Sequence, residues 1–418
     1  MNTFRRADIL LPQDCDMTKW SVVACDQFTS QPDYWAALEQ LCAGVPSTLH
    51  LMLPEAYLET RDQFAAATEI NAEMQRYLDG GVFRILHDSF IYVERSLAGG
   101  GVRRGLVGVL DLEDYDYAPV STARIRATEA TVESRLPARV RVREGAALEM
   151  PHIMVFIDDD EDTVMSSLAA KKDTLPVAYD FELSAGGGHI RGWQVTGADA
   201  DALDTVIDGL GDADRLHRKY GDAAPAVFAM GDGNHSLATA KKCWEALKPT
   251  LSAAERETHP ARFSLVELVN IHDEGITFEP IHKVVFETDP SEFLAAAEQW
   301  FGPHIAAEDA THMIRLITAE GEKSLSLRGL TLGQLIGTAE DFCQSYIMRR
   351  GGKIDYIHND DTAIGMGQQR GCAAILLPKM EKSELFSSII TSGIFPRKSF
   401  SIGHAEDKRY YLECRRIK

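Results

Sequence analysis

Short runs of consecutive apolar residues alternate along this chain with longer segments whose apolar positions recur every three to four residues. Three runs have the length of buried β-strands, 153–157, 226–230 and 373–377, and a fourth run, 263–269, predicts a strand or a short helix. Four segments have the helical period: 33–41, 59–78, 292–301 and 339–348. This alternation predicts a mixed α/β protein of the α+β class, with mixed sheets and flanking helices.

Other patterns predict elements near the candidate chemistry. Residues 90–94 and 105–112, separated by the glycines at 99–101, predict an antiparallel hairpin. Residues 20–25 predict a strand, and 128–136 predict a helix. The chain ends on a predicted strand over 410–413.

No stretch rich in proline, glycine or serine marks a domain boundary. We divide the chain into an N-terminal α/β region over 1–120, a central region over 121–290 and a C-terminal α+β region over 291–418. These limits are loose, and the three regions can also form one compact unit.

The amino-acid composition argues against several classes of binding partner. The 418 residues include 43 Lys and Arg against 63 Asp and Glu, a net charge of −20. Such a surface disfavours nucleic acid and anionic lipid, because phosphate binding depends on lysine and arginine. No apolar stretch is long enough to cross a membrane. The seven cysteines are scattered and form no C-x-x-C motif, which predicts a cytoplasmic protein without a thiolate metal site.

The sharpest local feature follows the apolar run at 226–230. It reads Gly231-Asp232-Gly233-Asn234-His235-Ser236 and leads into a helical segment. The glycines would let the backbone approach a phosphate, Asn234 could cap the helix, and His235 and Ser236 could donate hydrogen bonds. An ordinary tight turn between a strand and a helix fits the same residues.

Two further segments carry cations beside hydrogen-bonding groups. His282 and Lys283 follow Pro280 in an extended stretch, where lysine suits a phosphate and histidine suits acid–base work. Lys398 and Ser399 follow a proline turn and could also bind phosphate. Solvated surface loops have the same composition, so both interpretations stay open.

Three more residues are candidates by position. Asp26 comes directly after a predicted strand, where carboxylates often act as acid–base groups or bind magnesium. Arg126 and Glu129 lie in the arginine-rich segment 124–143, which could neutralise a polyphosphate or form an exposed helix face. The spacings of His235, His272 and His282 specify no metal site, and we predict none.

These elements occur together and in order. The chain resembles, over nearly its whole length, the bacterial and archaeal family called domain of unknown function 1015. The family motifs correspond here to Ala24-Cys25-Asp26-Gln27, Arg126-Ala127-Thr128-Glu129-Ala130-Thr131, Asp232-Gly233-Asn234-His235-Ser236, Asp273-Glu274-Gly275-Ile276 with Pro280-Ile281-His282-Lys283, and Pro396-Arg397-Lys398-Ser399-Phe400.

The chain departs from the family pattern at three positions. Thr128 and Asn234 stand where the motifs have histidine, and Ser236 stands where the glycine-turn motif ends in arginine. If that arginine contacts phosphate in relatives, another cation such as Lys283 or Lys398 must replace it here.

The turn at 232–236 is also similar to one shared by ParB-type partition proteins and small kinases that phosphorylate free serine. This similarity implies a ParB/sulfiredoxin-like nucleotide-binding element around 225–247, with ATP or ADP and Mg²⁺ as cofactors. The implied partners are a nucleotide and a small molecule, without nucleic acid or membrane, and homo-oligomerisation stays open.

The resulting hypothesis is a nucleotide-dependent phosphotransferase, a kinase acting on a small hydroxylated metabolite such as free serine. The alternative is a nucleotide-binding regulatory module without turnover. The catalytic candidates are Asp26, Asp232, His235 and His282. The phosphate- or nucleotide-binding candidates are Arg126, Glu129, Gly231, Gly233, Asn234, Ser236, Lys283, Lys398 and Ser399. We expect Asp26, Glu129, Asp232, His235, His282 and Lys398 to lie in one pocket.

Overall fold

The computed structural model describes residues 2–97, 100–131, 136–222, 224–403 and 410–418. Its helices are α1 Met17–Trp20, α2 Pro32–Leu41, α3 Gln63–Asp79, α4 Leu136–Gly145, α5 Thr163–Ala169, α6 Gly197–Leu210, α7 Ala213–Tyr220, α8 Asn234–Leu247, α9 Ala253–Thr258, α10 Pro290–Phe301, α11 Leu332–Arg350, α12 Asp360–Gly367 and α13 Glu384–Thr391.

The strands come from all parts of the chain. They are β1 Phe4–Arg5, β2 Ala7–Pro12, β3 Phe83–Ser96, β4 Val102–Asp111, β5 Tyr115–Asp116, β6 Ile125–Arg126, β7 Leu148–Glu149, β8 Met154–Ile157, β9 Val177–Glu182, β10 His189–Val195, β11 Phe228–Asp232, β12 Phe263–Asn270, β13 Phe278–Pro280, β14 His282–Phe286, β15 His312–Thr318, β16 Gly321–Leu327, β17 Lys353–Ile357, β18 Cys372–Leu376, β19 Phe400–Ile402 and β20 Arg415–Arg416.

The larger sheet, which we call the first sheet, is mixed. Its strand order is β5-β6-β11-β8-β12-β4-β3-β10-β9, with β1 on β4 and β2 on β3. The strand β11 runs parallel to β6 and antiparallel to β8, while β8 runs parallel to β12. The predicted α+β class with mixed sheets is confirmed, and so is the strand–turn–helix order within 225–247.

The second sheet is antiparallel, in the order β16-β15-β18-β14-β17. It shares a buried apolar core with the first sheet, in which Phe156 and Val269 of the first sheet cluster with Val285 and Ile314 of the second. The strands β13 and β19 pair with each other as a separate two-stranded antiparallel sheet. This common core holds the candidate loops of both sheets in place.

Both chain ends join the same part of the molecule. The strand β20 pairs with β7, and the backbone of Leu10 bonds that of Cys414. The first sheet takes strands from both sides of residue 120. The division into regions 1–120, 121–290 and 291–418 stays a prediction.

Of the elements predicted near the site, the structure contains the hairpin, lacks the strand over 20–25 and has the terminal strand at a later position. The hairpin is present as β3 and β4, with Gly99 outside the described residues. The predicted strand over 20–25 is wrong, because Trp20 ends α1 and Val23 forms an isolated bridge to Tyr410. The terminal strand is β20, which begins after the predicted 410–413.

The predicted helix over 128–136 is wrong for residues 128–131. Glu129 forms a parallel bridge with Phe395, and the Thr128 carbonyl accepts a 2.7 Å hydrogen bond from the Phe395 amide. Residues 132–135 lie outside the described part of the chain, and α4 begins at Leu136. The segment is extended because a partner far along the chain satisfies its backbone.

Candidate active site

The junction of β11 with α8 forms the centre of the candidate site. Gly233 precedes the first residue of α8 and has a φ of +89°, in the region that side chains disfavour. A Cβ there would lie 3.1 Å from the Ile153 Cα atom and 3.2 Å from the His152 carbonyl oxygen. The Gly233 amide donates a 2.7 Å hydrogen bond to Asp232 Oδ1. Only glycine fits this turn without displacing the neighbouring segment.

The turn directs the end of α8 toward the candidate residues. The Ser236 and Leu237 amides donate to the Gly233 carbonyl at 2.9 and 3.1 Å. The first amides of any helix point out of its end, and with the helix dipole they favour an anion. The Asn234 Oδ1 atom is buried and accepts no hydrogen bond from the described residues. A ligand donor would relieve the cost of that unsatisfied atom.

Gly231 has a different role from that expected. It is buried within β11, and a Cβ on it would approach the Phe156 ring to 3.0 Å and the Met154 side chain to 3.2 Å. Its missing side chain makes room for these two residues of β8, so the structure assigns it to packing beside the turn.

Glu129 lies between the turn and the loop that precedes β19. The neighbouring Thr128 hydroxyl donates a 2.7 Å hydrogen bond to the Met230 carbonyl of β11. The Ser399 amide donates to Glu129 Oε1 at 3.4 Å. The structure therefore brings together Glu129, Asp232 and Ser399, three predicted residues from distant parts of the sequence.

The Glu129 carboxyl has a pKa raised to about 7. Burial is the main cause, since it disfavours the charged form, and the negative charge of Asp232 adds to it. The amides of Ser399 and Phe400 and the charge of Arg397 act in the opposite direction. A carboxyl with this pKa can hold or release a proton near neutral pH, as a general acid or base requires.

Asp26 lies in an ion-pair cluster that contacts the first turn of α8. Arg139 of α4 pairs with Glu55 and lies 3.8 Å from Asp26 Oδ2, and its Nη1 atom is 3.5 Å from Ser236 Oγ. These carboxylates raise the pKa of the Arg139 guanidinium above its usual value, against the effect of burial. Arg139 was missed as a site residue, although its arginine-rich segment in an acidic chain was a usable signal.

The Arg126 side chain donates hydrogen bonds to backbone carbonyl groups. It is 3% exposed and donates to the carbonyls of Ala123 at 2.9 Å and Ala224 at 2.5 Å. Burial lowers the pKa of its guanidinium. These contacts fix the ends of β6 and the segment before β11, so its position indicates a structural role.

His282 and Lys283 are adjacent on β14 and make contacts on opposite sides. His282 Nε2 lies 2.8 Å from Asp360 Oδ1, and Nδ1 accepts from the Leu377 amide at 3.1 Å. Lys283 has no solvent exposure and donates to Glu340 Oε2 at 2.6 Å. These contacts of His282 and Lys283 are with Asp360 and Glu340, and not with Glu129 or Asp232.

Lys398 also makes its contact at the second sheet. It has a φ of +57°, and its Nζ atom lies 4.1 Å from the centre of the Tyr356 ring. The Tyr356 hydroxyl donates to Glu340 Oε1 at 2.7 Å, so Lys283 and Lys398 share this neighbourhood. Ser399 is buried, and its hydroxyl donates to the Pro396 carbonyl.

We expect Lys283→Met to destabilise the fold by about 3 kcal/mol, because it leaves Glu340 without its buried cation. Chemical denaturation of Lys283→Met and of the double variant Lys283→Met/Glu340→Gln measures this, and the double variant should recover part of the loss. Loss of ligand affinity at unchanged stability would instead make Lys283 a ligand contact.

The sequence matches, over residues 9–349, the family described as Protein of unknown function (DUF1015). This match covers most of the 418 residues. The chain belongs to that family. A search of curated proteins gave no match.

Solved structures similar to this DUF1015 protein are distant. One is SbnI with a C-terminal truncation from Staphylococcus aureus, which is 10% identical in sequence and has a TM-score of 0.36. The match covers 71% of this chain and 82% of the SbnI chain. A free serine kinase in complex with AMP has 10% identity, coverages of 74% and 90%, and a TM-score of 0.35. A conserved hypothetical protein from Pyrococcus furiosus has 10% identity, coverages of 73% and 90%, and a TM-score of 0.31.

One further cluster in this DUF1015 protein has the composition of a metal site. Among the described residues, Asp158, Asp160 and His272 place one ligand atom each within 4.8 Å of one another. Lys219 already pairs with both carboxylates, and the Tyr220 hydroxyl donates to Asp158. These contacts account for the cluster as an ion-pair network.

Within the described residues, no helix of this DUF1015 protein combines the length and apolar character that a membrane span requires.

Proposed function

We propose that this protein binds a nucleotide at the first turn of α8 and transfers a phosphoryl group to a small hydroxylated metabolite. The observation that carries the proposal is Glu129, a carboxyl with a pKa raised to about 7 beside Asp232 at that helix end. Free serine, the substrate named for one of the distant structures, is one candidate acceptor.

Glu129 would act as the general base. It would take the proton from the acceptor hydroxyl as that oxygen bonds to the transferred phosphorus. The bond from phosphorus to the departing nucleotide oxygen breaks in the same transfer, and Glu129 then releases its proton to solvent. The positioned charges near the helix end would supply the rest of the catalysis.

The phosphates would lie against the end of α8, with two arginines nearby. Arg397 is exposed and close enough to lower the pKa of Glu129, and Arg139 contacts Ser236. Arg397 could take the place of the motif arginine that Ser236 replaces here, because the charge of Arg139 is already paired with Glu55 and Asp26. His235, Asn234 and Gly233 would form the rest of the anion cradle.

Asp232 fits a magnesium ion. Its carboxylate offers oxygen ligands, and Mg²⁺ typically binds one or two carboxylates together with substrate phosphates. A bound Mg²⁺ would neutralise phosphate charge. Glu129 would keep its role as the general base.

A cytoplasmic location belongs to the same proposal. All seven cysteines are free thiols, which suits a reducing compartment. The net charge of −20 fits small-molecule ligands better than nucleic acid.

We expect micromolar binding of ATP, ADP or CTP, about −8 kcal/mol, when each is titrated into the full chain by calorimetry with Mg²⁺. Arg397→Ala should weaken it about tenfold, a loss typical of a single charge-assisted contact. Arg349→Ala, which removes an exposed arginine at the end of α11, is the matched control and should leave the affinity unchanged. Absence of binding to all three nucleotides would reject the nucleotide site.

A regulatory module that binds nucleotide without turnover is the second candidate. The replacement of the motif arginine by Ser236 favours it, because phosphoryl transfer depends on positive charge at the phosphates. Incubation with γ-labelled ATP and a panel of hydroxylated metabolites separates the two candidates. Binding with no labelled product and no phosphate release would leave the regulatory function.

A further inference from the structure

A cavity that opens to solvent lies among α3, α4 and α8, beside the first turn of α8. It has a volume of about 160 Å³. Its walls are largely apolar and include Leu51, Leu53, Leu58, Met74, Val142 and Leu148. A cavity of about 150 Å³ with aliphatic walls can hold a benzene molecule. The space therefore suits a body of about six to eight non-hydrogen atoms.

One part of the wall is polar. Ser236 and Thr239 lie three residues apart on α8, and both line the cavity with Arg139. The Thr239 hydroxyl donates to the His235 carbonyl at 2.7 Å, which leaves its oxygen able to accept. Ser236 Oγ lies 3.5 Å from Arg139 Nη1. These groups offer donors and acceptors to a ligand that carries a hydroxyl.

The charges around the cavity are already matched. Arg139 pairs with Glu55 and Asp26, whereas Glu149 pairs with Arg143 at 2.6 Å and with Arg415 at 2.6 Å. The two clusters together hold three arginines and three carboxylates, so their formal charges cancel. Burial raises the pKa of the Cys25 thiol in the same wall, which keeps it neutral near pH 7.

A charged ligand would find no unmatched partner charge among these six residues. It would also lose hydration against the apolar walls, a cost that only pairing could offset. A neutral ligand avoids this cost and can hydrogen-bond at the polar end. Free serine, with an ammonium and a carboxylate, has the wrong chemistry for this space.

We infer that this cavity binds a small neutral molecule with an apolar body and a hydroxyl group. The inference stands on the cavity alone and does not depend on the nucleotide site.

Benzyl alcohol is the neutral probe. Benzylamine, a cation, and benzoate, an anion, carry the same phenyl ring and serve as the charged comparison ligands. Calorimetric titration of the full chain should show benzyl alcohol binding at least tenfold more tightly than either charged ligand or L-serine. Tighter binding of benzoate, benzylamine or L-serine would overturn the neutral class. No binding of benzyl alcohol would overturn the site.

Ala138→Leu tests the location, because Ala138 lines the cavity and a larger side chain there fills it. We expect benzyl alcohol affinity to fall at least tenfold. Ala65→Leu, the same change at an exposed position of the adjacent helix α3, should have no effect. Equal affinity in both variants would place the ligand elsewhere.

Thr239→Val provides a second variant that preserves side-chain volume. It should reduce the preference for benzyl alcohol over toluene, which lacks the hydroxyl, at least threefold. An unchanged preference would remove Thr239 from the polar end and overturn the hydroxyl assignment.

Nucleotide titrations on the same samples separate the two proposals. Benzyl alcohol binding without nucleotide binding would retain the cavity and reject the nucleotide site. Nucleotide binding without benzyl alcohol binding would reject the cavity and retain the nucleotide site.

Discussion

Replacing Glu129 with glutamine should lower the rate of phosphoryl transfer by about 10²–10⁴-fold, the range typical of losing a general base. The amide keeps the size of the carboxyl and can still accept from the Ser399 amide, but it cannot take a proton. Steady-state kinetics with saturating nucleotide and acceptor measure the effect. Without Mg²⁺, nucleotide affinity should change little, because the proposed role lies in proton transfer.

Glu279→Gln is the matched control for this variant. Glu279 is a partly buried glutamate on β13, outside the proposed site. The control should keep the wild-type rate. Equal losses of rate in the two variants would mean that Glu129 has no special chemical role, and the proposed base would be rejected.

The pH dependence gives a second readout of the same group. The Glu129 pKa of about 7 lies above the usual glutamate value of 4.5, so the ionised base forms only as the pH rises through about 7. The wild-type rate should therefore rise over that interval, and Glu129→Gln should lose this rise. A purely structural residue would not move the profile.

Whereas the rate should rise with pH, the contribution of Glu129 to the stability of the fold should fall. Because the folded state holds the Glu129 proton more tightly than the unfolded state, this group's contribution to stability falls as the pH rises from about 4.5 to about 7. At pH 8 the Glu129→Gln variant should be at least as stable as the wild type. Thermal unfolding at pH 5 and pH 8 tests this sign.

Part of this arrangement was accessible from the sequence. The apolar run before Gly231, the glycine at 233 and the helical period after it predicted β11, the turn and α8 in the right order. These are local signals, because a turn and a helix start depend on neighbouring residues. Glu129 was identified by its place in the arginine-rich segment 124–143 and by the family motif that contains it.

The contacts of Glu129 were not accessible in this way. The segment 128–131 has helical composition, yet its backbone pairs with Phe395 from the other end of the chain. Local periodicity carries no information about such a partner. The elevated pKa of Glu129 also arises from burial by residues distant in sequence.

One error could have been avoided from the sequence. His282 was predicted to share a pocket with Glu129 and Lys283 was predicted to bind phosphate at the same site, although the stretch was also predicted to be extended. Neighbouring side chains on a strand point to opposite faces, so two adjacent residues rarely line the same pocket. The separate contacts with Asp360 and Glu340 follow from that alternation.

Replacing Gly233 with valine should weaken nucleotide binding at least 100-fold, which is about 2.8 kcal/mol because each factor of ten is worth about 1.4 kcal/mol. The left-handed φ of +89° disfavours a β-branched residue, and its Cβ would press on the backbone of Ile153 and His152. Relief of these contacts must move the end of α8, which carries the proposed anion cradle. Calorimetry with Mg²⁺ and the tightest-binding nucleotide measures the loss.

Gly221→Val is the control that separates loss of stability through backbone strain from loss of nucleotide affinity. Gly221 also has a positive φ, +72°, but a Cβ there meets nothing within 4 Å, and it follows α7. Both variants should lose stability through backbone strain, about 1–3 kcal/mol. Only Gly233→Val should lose nucleotide affinity, because only there does the strained backbone lead into α8. Comparable affinity losses in the two variants would show that general destabilisation, and not the cradle, controls binding.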